Sequence, residues 1–189
     1  MEFNNKYYLL RHGEAMSNIK QVVSSWPETF ENPLTEKGVK MIEESAKKLM
    51  DKNIDFIFAS DLLRTQQTAS IVGRALKIEP EFDKRLREIS FGNMNGGPIT
   101  DLDVKFKEES ERIKNKMPNG ESYEDVSKRI YDFLIDIDKK YKNKNILIVS
   151  HESTLWILES KVKGMSLEEN LKTIPRDERI HKGQIKELN

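Results

Sequence analysis

Two histidines and two arginines of this sequence lie just after apolar runs of the kind that form strands. These four residues are Arg11, His12, Arg64 and His151. The runs themselves, residues 6–10, 54–59 and 146–150, are typical of short buried strands. Open α/β sheets bind ligands beyond the carboxyl ends of their strands. If the strands are neighbours, we therefore expect one pocket that carries two imidazoles and two fixed positive charges.

Two kinds of site use two histidines together with a carboxylate such as Glu88. One is a metal centre with imidazole and carboxylate ligands. The other is a phosphate pocket. Arg11 and Arg64 favour the phosphate pocket, because a guanidinium repels a divalent cation but pairs bidentately with phosphate oxygens. The sequence therefore predicts an anion site and no metal site.

The elements that must position these residues alternate between strands and helices. Apolar runs predict the strands, whereas a 3.6-residue period and capping residues predict the helices. The predicted strands are Lys6–Leu10, Ile54–Ala59, Ile146–Ser150 and an edge strand at Gln184–Leu188. The predicted helices run from a Thr35 cap to about Met50, from an Asp61 cap to Leu76, from a Ser122/Asp125 capping box to about Tyr141, and from Leu155 onward.

Alternation of this kind favours a mostly parallel central sheet with helices on both faces. We predict a single three-layer α/β domain over residues 1–189. Residues 14–33 are predicted to be rich in loops. The stretch 93–120 is rich in glycine and proline, and we expect it to form a short lid over one end of the sheet.

The composition excludes several classes of protein. The chain has 189 residues, 32 basic and 32 acidic, and 37% of them are hydrophobic. It contains no cysteine, which excludes a disulfide framework, a thiol nucleophile and a zinc ribbon. The balanced charge argues against a nucleic-acid binder, and the apolar runs are far shorter than a membrane span. Residues 1–8 show no apolar leader. We therefore expect a cytoplasmic protein that binds neither nucleic acid nor membranes.

Six short segments carry motifs in a fixed order along the chain. They are Leu10–Glu14 followed by Asn18, Pro33–Gly38, Ala59–Ala69, Leu86–Gly96, Pro118–Ser122 and Val149–His151. Their residues and their order resemble the signature of the histidine phosphatase (phosphoglycerate mutase-like) superfamily. An Arg-His-Gly triplet alone is a weak signal, whereas this ordered set extends from residue 8 to about residue 158.

The resemblance implies a role for each residue of the predicted pocket. His12 would be the nucleophile and would become a phosphohistidine. The phosphoryl oxygens would be held by Arg11, Arg64, His151 and Asn18. Glu88 would be the general acid that protonates the leaving oxygen and later activates water. Such a mechanism needs no metal and no organic cofactor.

Two regions depart from the family pattern. Glu152 and Ser153 follow the second histidine, where the family usually has small glycines. The carboxylate would either repel acidic substrates or orient His151. The tail from Ile174 to Asn189 does not match the usual family ending. Within it we expect a solvated basic patch formed by Arg176, Arg179, His181 and Lys182.

The same catalytic residues serve phosphatases and mutases. A mutase must return the phosphoryl group to a bound product before water intervenes, so it needs a lid that closes. The excursion at 93–119 is short, and we expect it to leave Glu88 nearer to solvent, which favours hydrolysis. We therefore predict a phosphomonoester hydrolase for a small phosphorylated metabolite. A phosphoglycerate mutase is the alternative. A non-catalytic phosphate-binding protein is less favoured, because His12, Glu88 and His151 are all present.

Overall fold

A computed structural model describes residues 3–188 of the chain. The predicted domain also includes Met1, Glu2 and Asn189, which lie outside the described residues. The strands are β1 (Lys6–Arg11), β2 (Phe56–Ala59), β3 (Glu81–Phe82), β4 (Asn145–Ser150) and β5 (Ile185–Glu187). They form one sheet in the order β3-β2-β4-β1-β5. All pairs are parallel except β5 with β1, which is antiparallel, and β5 lies at the edge of the sheet as predicted.

Helices cover both faces of this sheet. They are α1 (Met16–Lys20), α2 (Glu36–Leu49), α3 (Leu63–Leu76), α4 (Thr100–Lys105), α5 (Tyr123–Lys140), α6 (Glu152–Val162) and α7 (Leu167–Thr173). Side chains that alternate along β1 enter different cores. Leu9 belongs to the core that contains α5 and α6, and Leu10 to the core that contains α2 and α3. The predicted three-layer α/β fold with a mostly parallel sheet is therefore confirmed. In the part of the chain from residue 3 to residue 188, no helix has both the length and the apolar character of a membrane span.

The register of the sheet brings the two predicted histidines together. β1 and β4 are neighbours, and Arg11 pairs with Ser150 at the last position of their ladder. His12 and His151 are the next residues in each chain segment, and the His12 N–H donates to the Ser150 carbonyl at 3.1 Å. β2 lies on the other side of β4. The helix that follows β2 therefore begins at the same edge of the sheet and carries Arg64 in its first turn.

Two of the predicted helix starts are confirmed. The Thr35 hydroxyl accepts the Gly38 N–H at 3.0 Å and caps α2. Ser122 and Asp125 form the predicted capping box, in which each side chain accepts the other residue's backbone N–H, and α5 begins at Tyr123, directly after Ser122. Both caps satisfy backbone donors that have no partner inside the helix.

The third predicted cap is wrong. The N-cap of α3 is Leu62, and Asp61 instead accepts two hydrogen bonds from the Arg87 guanidinium, at 2.6 and 2.7 Å. A carboxylate held by a bidentate arginine is not available to the helix end. The last long helix, α6, begins at Glu152 rather than at Leu155. The short elements α1, α7 and β3 were not predicted, because each is only two to seven residues long and shows little periodicity.

The lid, residues 93–120, is an ordered excursion that contains α4 and a 3-10 helix at Glu109–Ile113. Its two ends meet beside Gly92, where φ is +52° and an added Cβ would lie 2.0 Å from the Pro118 carbonyl oxygen. Only glycine fits such a position without strain. The Val23 N–H donates to the Gly97 carbonyl at 2.9 Å. This bond holds the lid against the loop that follows β1 and α1.

Candidate active site

His12 follows β1 at the carboxyl edge of the sheet and is 4% exposed. Its Nδ1 lies 2.7 Å from the Gly13 carbonyl oxygen, and its Nε2 accepts the Arg64 Nε–H at 3.2 Å. These partners assign the hydrogen to Nδ1 and leave a lone pair on Nε2. Burial, followed by the charges of Arg64 and Arg11, holds the pKa of His12 well below its usual 6.5. The imidazole is therefore neutral and has one nitrogen able to attack.

Arg64 is buried and lies at the centre of the site. Its Nη2 donates to the Ser24 carbonyl at 2.9 Å and to His151 Nδ1 at 3.0 Å. Its Nη1 lies 3.4 Å from the Glu28 carboxylate. Burial lowers the pKa of this guanidinium to about 10, so it keeps its charge at neutral pH. The packing fixes a positive charge directly against the His12 nitrogen.

His151 is fully buried behind this arginine. Because Nδ1 accepts from Arg64, the hydrogen lies on Nε2, which donates to the Ser60 hydroxyl at 2.9 Å. Burial and the nearby Arg64 charge hold the pKa of His151 well below 6.5. The His12 and His151 ring centres are 5.2 Å apart. His151 is thus close to His12, but it contacts Arg64 rather than the cavity.

Arg11 forms an ion pair with Glu152, a contact that was not predicted from the sequence. Its Nη1 donates to Glu152 at 2.7 Å and to the Ile180 carbonyl at 3.1 Å. Arg176 also approaches Glu152, at 3.8 Å. The Glu152 side chain therefore neither orients His151 nor stands free to repel an acidic substrate, because it is bound to the predicted phosphate-binding arginine.

Glu88 is buried, with 8% of its surface exposed. One carboxyl oxygen accepts the Ile89 N–H at 2.9 Å. The backbone carbonyl of Glu88 accepts hydrogen bonds from Trp26 Nε1 and from Arg129 Nη2, both at 3.2 Å. Burial is the main reason that the pKa of Glu88 is raised above 4.5. The expectation that a short lid leaves Glu88 near solvent is wrong, because the segment carrying Glu88 packs under the Trp26 loop and against Arg129.

A cavity of about 110 Å³ joins these groups. It is lined by the predicted nucleophile His12, by the predicted acid Glu88 and by three of the predicted phosphate ligands, Arg11, Asn18 and Arg64. Asn18 belongs to α1, and its side-chain oxygen accepts the Ala15 N–H at 2.9 Å. Within residues 3–188, no group of three or more His, Cys, Asp or Glu side chains is arranged to hold a metal ion.

Four further residues at the site were not predicted. Ser24 and Glu28 position Arg64, and Arg112 and Arg176 line the cavity from the lid and from the C-terminal segment. Ser24 and Glu28 lie in a loop without periodicity, so nothing in the sequence marks them. Of the predicted basic patch, Arg179 is buried at 3% exposure against the Trp156 ring, and Arg176 lines the cavity. The prediction of a solvated patch is therefore wrong for Arg179, whereas Arg176 is exposed to solvent as predicted and lines the cavity as well.

Three comparisons connect this arrangement to known proteins. A family model described as the histidine phosphatase superfamily, branch 1, matches residues 7–178. The "Probable phosphoglycerate mutase GpmB" of Yersinia pestis (strain Pestoides F) is 31% identical over 163 residues, which cover 84% of this chain and 74% of that protein.

Two solved structures share the fold along almost the whole chain. The alpha-ribazole phosphatase of Shigella flexneri is 26% identical, with a TM-score of 0.79 over 95% of this chain and 88% of that one. A mycobacterial glucosyl-3-phosphoglycerate phosphatase is 19% identical, with a TM-score of 0.81 over 95% of this chain and 87% of that one. At that identity the second likeness shows the fold alone.

Proposed function

The chain belongs to the histidine phosphatase superfamily, branch 1, and on that premise we propose that it is a phosphomonoester hydrolase whose intermediate is a phosphohistidine at His12. The observation that carries this proposal is the composition of one cavity. An imidazole nitrogen with a free lone pair and a buried carboxyl group line it together with two arginines. These are the nucleophile, the acid and the anion ligands that a two-step phosphoryl transfer requires.

In the first step His12 Nε2 attacks the phosphorus atom and the ester oxygen leaves. Arg64 Nε now donates to that nitrogen, so the guanidinium has to transfer its hydrogen bond to an incoming phosphoryl oxygen before attack. Glu88 gives its proton to the leaving oxygen, and the raised pKa keeps that proton available. The Gly13 carbonyl, 2.7 Å from Nδ1, stabilises the positive charge that the ring acquires.

In the second step water attacks the phosphohistidine. Glu88, now ionised, takes a proton from this water, and phosphate leaves as His12 returns to its neutral form. Arg11, Arg64 and Asn18 hold the phosphoryl oxygens in both steps. His151 acts through Arg64, because its Nδ1 accepts from the guanidinium at 3.0 Å.

Hydrolysis is favoured over transfer because water has access to the cavity. The Arg176 side chain lines the cavity and is nevertheless 51% exposed. A mutase has to exclude water while the phosphohistidine waits for its second acceptor. The similarity to a protein named as a probable phosphoglycerate mutase supports mutase activity as the second candidate. A non-catalytic phosphate-binding role stays the least favoured, since nucleophile and acid are both in place.

The proposed substrate is a small phosphorylated metabolite, and the proposed setting is the cytoplasm, without a nucleic-acid or membrane partner. We also infer that no metal or organic cofactor takes part, because the fixed charges of Arg11 and Arg64 disfavour a divalent cation. We expect turnover to be unchanged by a strong chelator.

Trapping the intermediate tests this proposal. The enzyme is mixed rapidly with a phosphomonoester, quenched in base and analysed by peptide mass spectrometry, with His181→Ala as a control because His181 is exposed. We expect phosphate on His12 in the wild type and in His181→Ala. Phosphoryl transfer between phosphoglycerate isomers that is faster than phosphate release would establish the mutase instead. Turnover without any phosphohistidine would overturn the mechanism.

A further inference from the structure

The Trp26 loop, residues 24–28, contacts both halves of the proposed catalytic machinery. On the side of the nucleophile, the Ser24 carbonyl accepts a hydrogen bond from Arg64 Nη2 at 2.9 Å. On the side of the acid, Trp26 Nε1 donates to the backbone carbonyl of Glu88 at 3.2 Å. One short loop therefore sets the positions of Arg64 and Glu88 relative to each other.

The Trp26 ring also contacts the residue that precedes the acid. The Arg87 guanidinium lies over this ring, 5.3 Å from the ring centre, and binds Asp61 at 2.6 and 2.7 Å. Asp61 directly precedes the N-cap of α3, the helix that carries Arg64. The indole thus contacts two successive residues of the segment that carries the acid, and Arg87 joins that segment to the helix of the anion-binding arginine.

Hydrogen bonds to residues 91–95 hold the backbone on both sides of Trp26. The Ser25 hydroxyl accepts the Phe91 N–H at 3.1 Å, and the Ser25 N–H donates to the Asn95 side-chain oxygen at 2.8 Å. Asn95 Nδ2 in turn donates to the Pro27 carbonyl at 2.6 Å. The indole is therefore presented to Glu88 from an anchored backbone.

We propose that Trp26 is a positioning residue for the general acid: its indole N–H holds Glu88 where the leaving oxygen is protonated. This inference rests on the proposed function, because it assumes that Glu88 is the acid. Trp26 is not among the described residues that line the cavity, so its effect on the reaction passes through Glu88. Without the indole N–H, the Glu88 carbonyl keeps its hydrogen bond from Arg129. A displacement of about 1 Å is enough to lower a rate by about 10²-fold.

Trp26→Phe tests the proposal because it keeps an aromatic ring and removes the indole N–H. For an alkyl phosphate, whose leaving oxygen needs the proton, we expect kcat to fall by about tenfold. The burst of nitrophenol from a nitrophenyl phosphate needs no proton, and its rate should change by less than about twofold. Phe30→Leu is the matched control: the Phe30 ring lies against Lys20, 4.5 Å from its ammonium, and this variant should match the wild type with both esters. Melting curves of each variant report whether the fold is intact.

A double-mutant cycle distinguishes an effect through Glu88 from a general loosening of the loop. In Glu88→Gln the proton donor is already absent. Adding Trp26→Phe to that variant should therefore lower kcat for the alkyl phosphate by less than about twofold. A further loss of about tenfold in the double variant would show that Trp26 acts independently of Glu88 and would overturn the proposal.

Tryptophan emission tests the same contact without turnover. The chain has two tryptophans, and Trp156 lies in the core at 1% exposure. Burial raises the pKa of Glu88 above 4.5. We expect the emission of Trp26 to shift as pH rises through that pKa in the wild type, and to stay constant over this range in Glu88→Gln. Trp26→Phe retains only Trp156 and gives the background.

Two further results would contradict the positioning role. One is an unchanged kcat of Trp26→Phe for the alkyl phosphate, and the other is an emission shift that persists in Glu88→Gln. The proposed function fails separately. If no phosphomonoester is hydrolysed but the emission shift depends on Glu88, the coupling of Trp26 to Glu88 stands and the hydrolase assignment does not.

Discussion

Burial sets the protonation state of the titratable side chains around the cavity. His12 and His151 are held neutral because their pKa values are lowered, mainly by burial. Glu88 is shifted the opposite way, because burial also disfavours its charged form. A neutral nucleophile and a protonated acid can therefore coexist at the same pH, which is the condition for the first chemical step.

Replacement of the acid tests this assignment. We expect Glu88→Gln to lower kcat for an alkyl phosphate by about 10²- to 10⁴-fold, because glutamine cannot donate the proton. In the wild type, kcat should fall as pH rises through the elevated pKa of Glu88, and this basic limb should vanish in the variant. For a nitrophenyl phosphate, whose leaving group needs no proton, the burst of nitrophenol that reports the first step should slow much less. An equally large loss in that first step would argue against Glu88 as the acid.

A second prediction concerns the Glu152 side chain. It holds Arg11 at 2.7 Å, so a bound phosphate has to compete with it. In Glu152→Gln we expect phosphate to inhibit about 3- to 10-fold more strongly. The basic limb should also shift to lower pH, because the Glu152 charge is one of the smaller causes that raise the pKa of Glu88. Glu43→Gln, on the exposed face of α2, is the control. An unchanged inhibition constant would mean that phosphate does not compete with Glu152 for Arg11.

Among the elements, α2 fixes the turn that carries the nucleophile. An added Cβ on Gly38 would lie 2.1 Å from the Glu14 carbonyl oxygen, and one on Gly13 would lie 2.6 Å from the Gly38 carbonyl oxygen. The backbone of α2 therefore packs directly on the backbone that follows His12. Neither contact leaves room for a side chain.

This contact can be tested at Gly38. We expect Gly38→Ala to lower the free energy of unfolding by about 1–3 kcal/mol or more, because backbone must move on both sides. The turn at His12 should move with it, so kcat should also fall. Thermal melts and phosphate release are measured beside Lys40→Ala, which changes an exposed residue of the same helix. A variant as stable and as active as Lys40→Ala would refute the role given to this contact.

The longer elements were predictable because they carry repeated signals. The apolar runs of β1, β2 and β4 and the capping box at Ser122 each mark an element that the structure contains. Asp61 shows where local rules fail: its sequence position suits a cap, but Arg87, which is distant in sequence, binds its carboxylate. Such a tertiary competitor cannot be read from the residues around the helix start.

For the molecule as a whole, the neutral histidines link stability to pH. The unfolded chain takes up protons on these imidazoles below about pH 6.5, whereas the folded state resists. Above about pH 6.5 the two histidines therefore do not reduce the free energy of unfolding. Below it each histidine lowers that free energy, by about 1 kcal/mol at a pH one unit lower. Glu88 acts in the opposite direction, because its raised pKa favours the folded state at low pH.

We therefore expect Tm to fall between about pH 7.5 and about pH 5.5, since two histidines outweigh one carboxyl group. His151→Gln should show a smaller fall, whatever its absolute Tm. Differential scanning calorimetry at the two pH values measures both slopes. A variant with the same slope as the wild type would contradict the lowered pKa of His151.

Part of the site could be predicted from the sequence because the arrangement of the whole sheet determines where the strands end. Strand ends of a parallel sheet meet at one edge, so Arg11, His12, Arg64 and His151 could be placed together from the sequence. Arg112 could not be placed there, because the lid has no strand pairing that fixes which of its residues reach the cavity. The burial of Glu88 likewise depends on the distant Trp26 loop.

Phosphate release from a panel of phosphomonoesters, in chelator and without added metal, tests the central claim most directly. Wild type, His12→Ala and His181→Ala are compared. We predict release by the wild type and by His181→Ala, and a loss in His12→Ala to the rate of the uncatalysed reaction. Release that persists in His12→Ala, or that occurs only when a divalent metal is added, would contradict a phosphatase that works through His12.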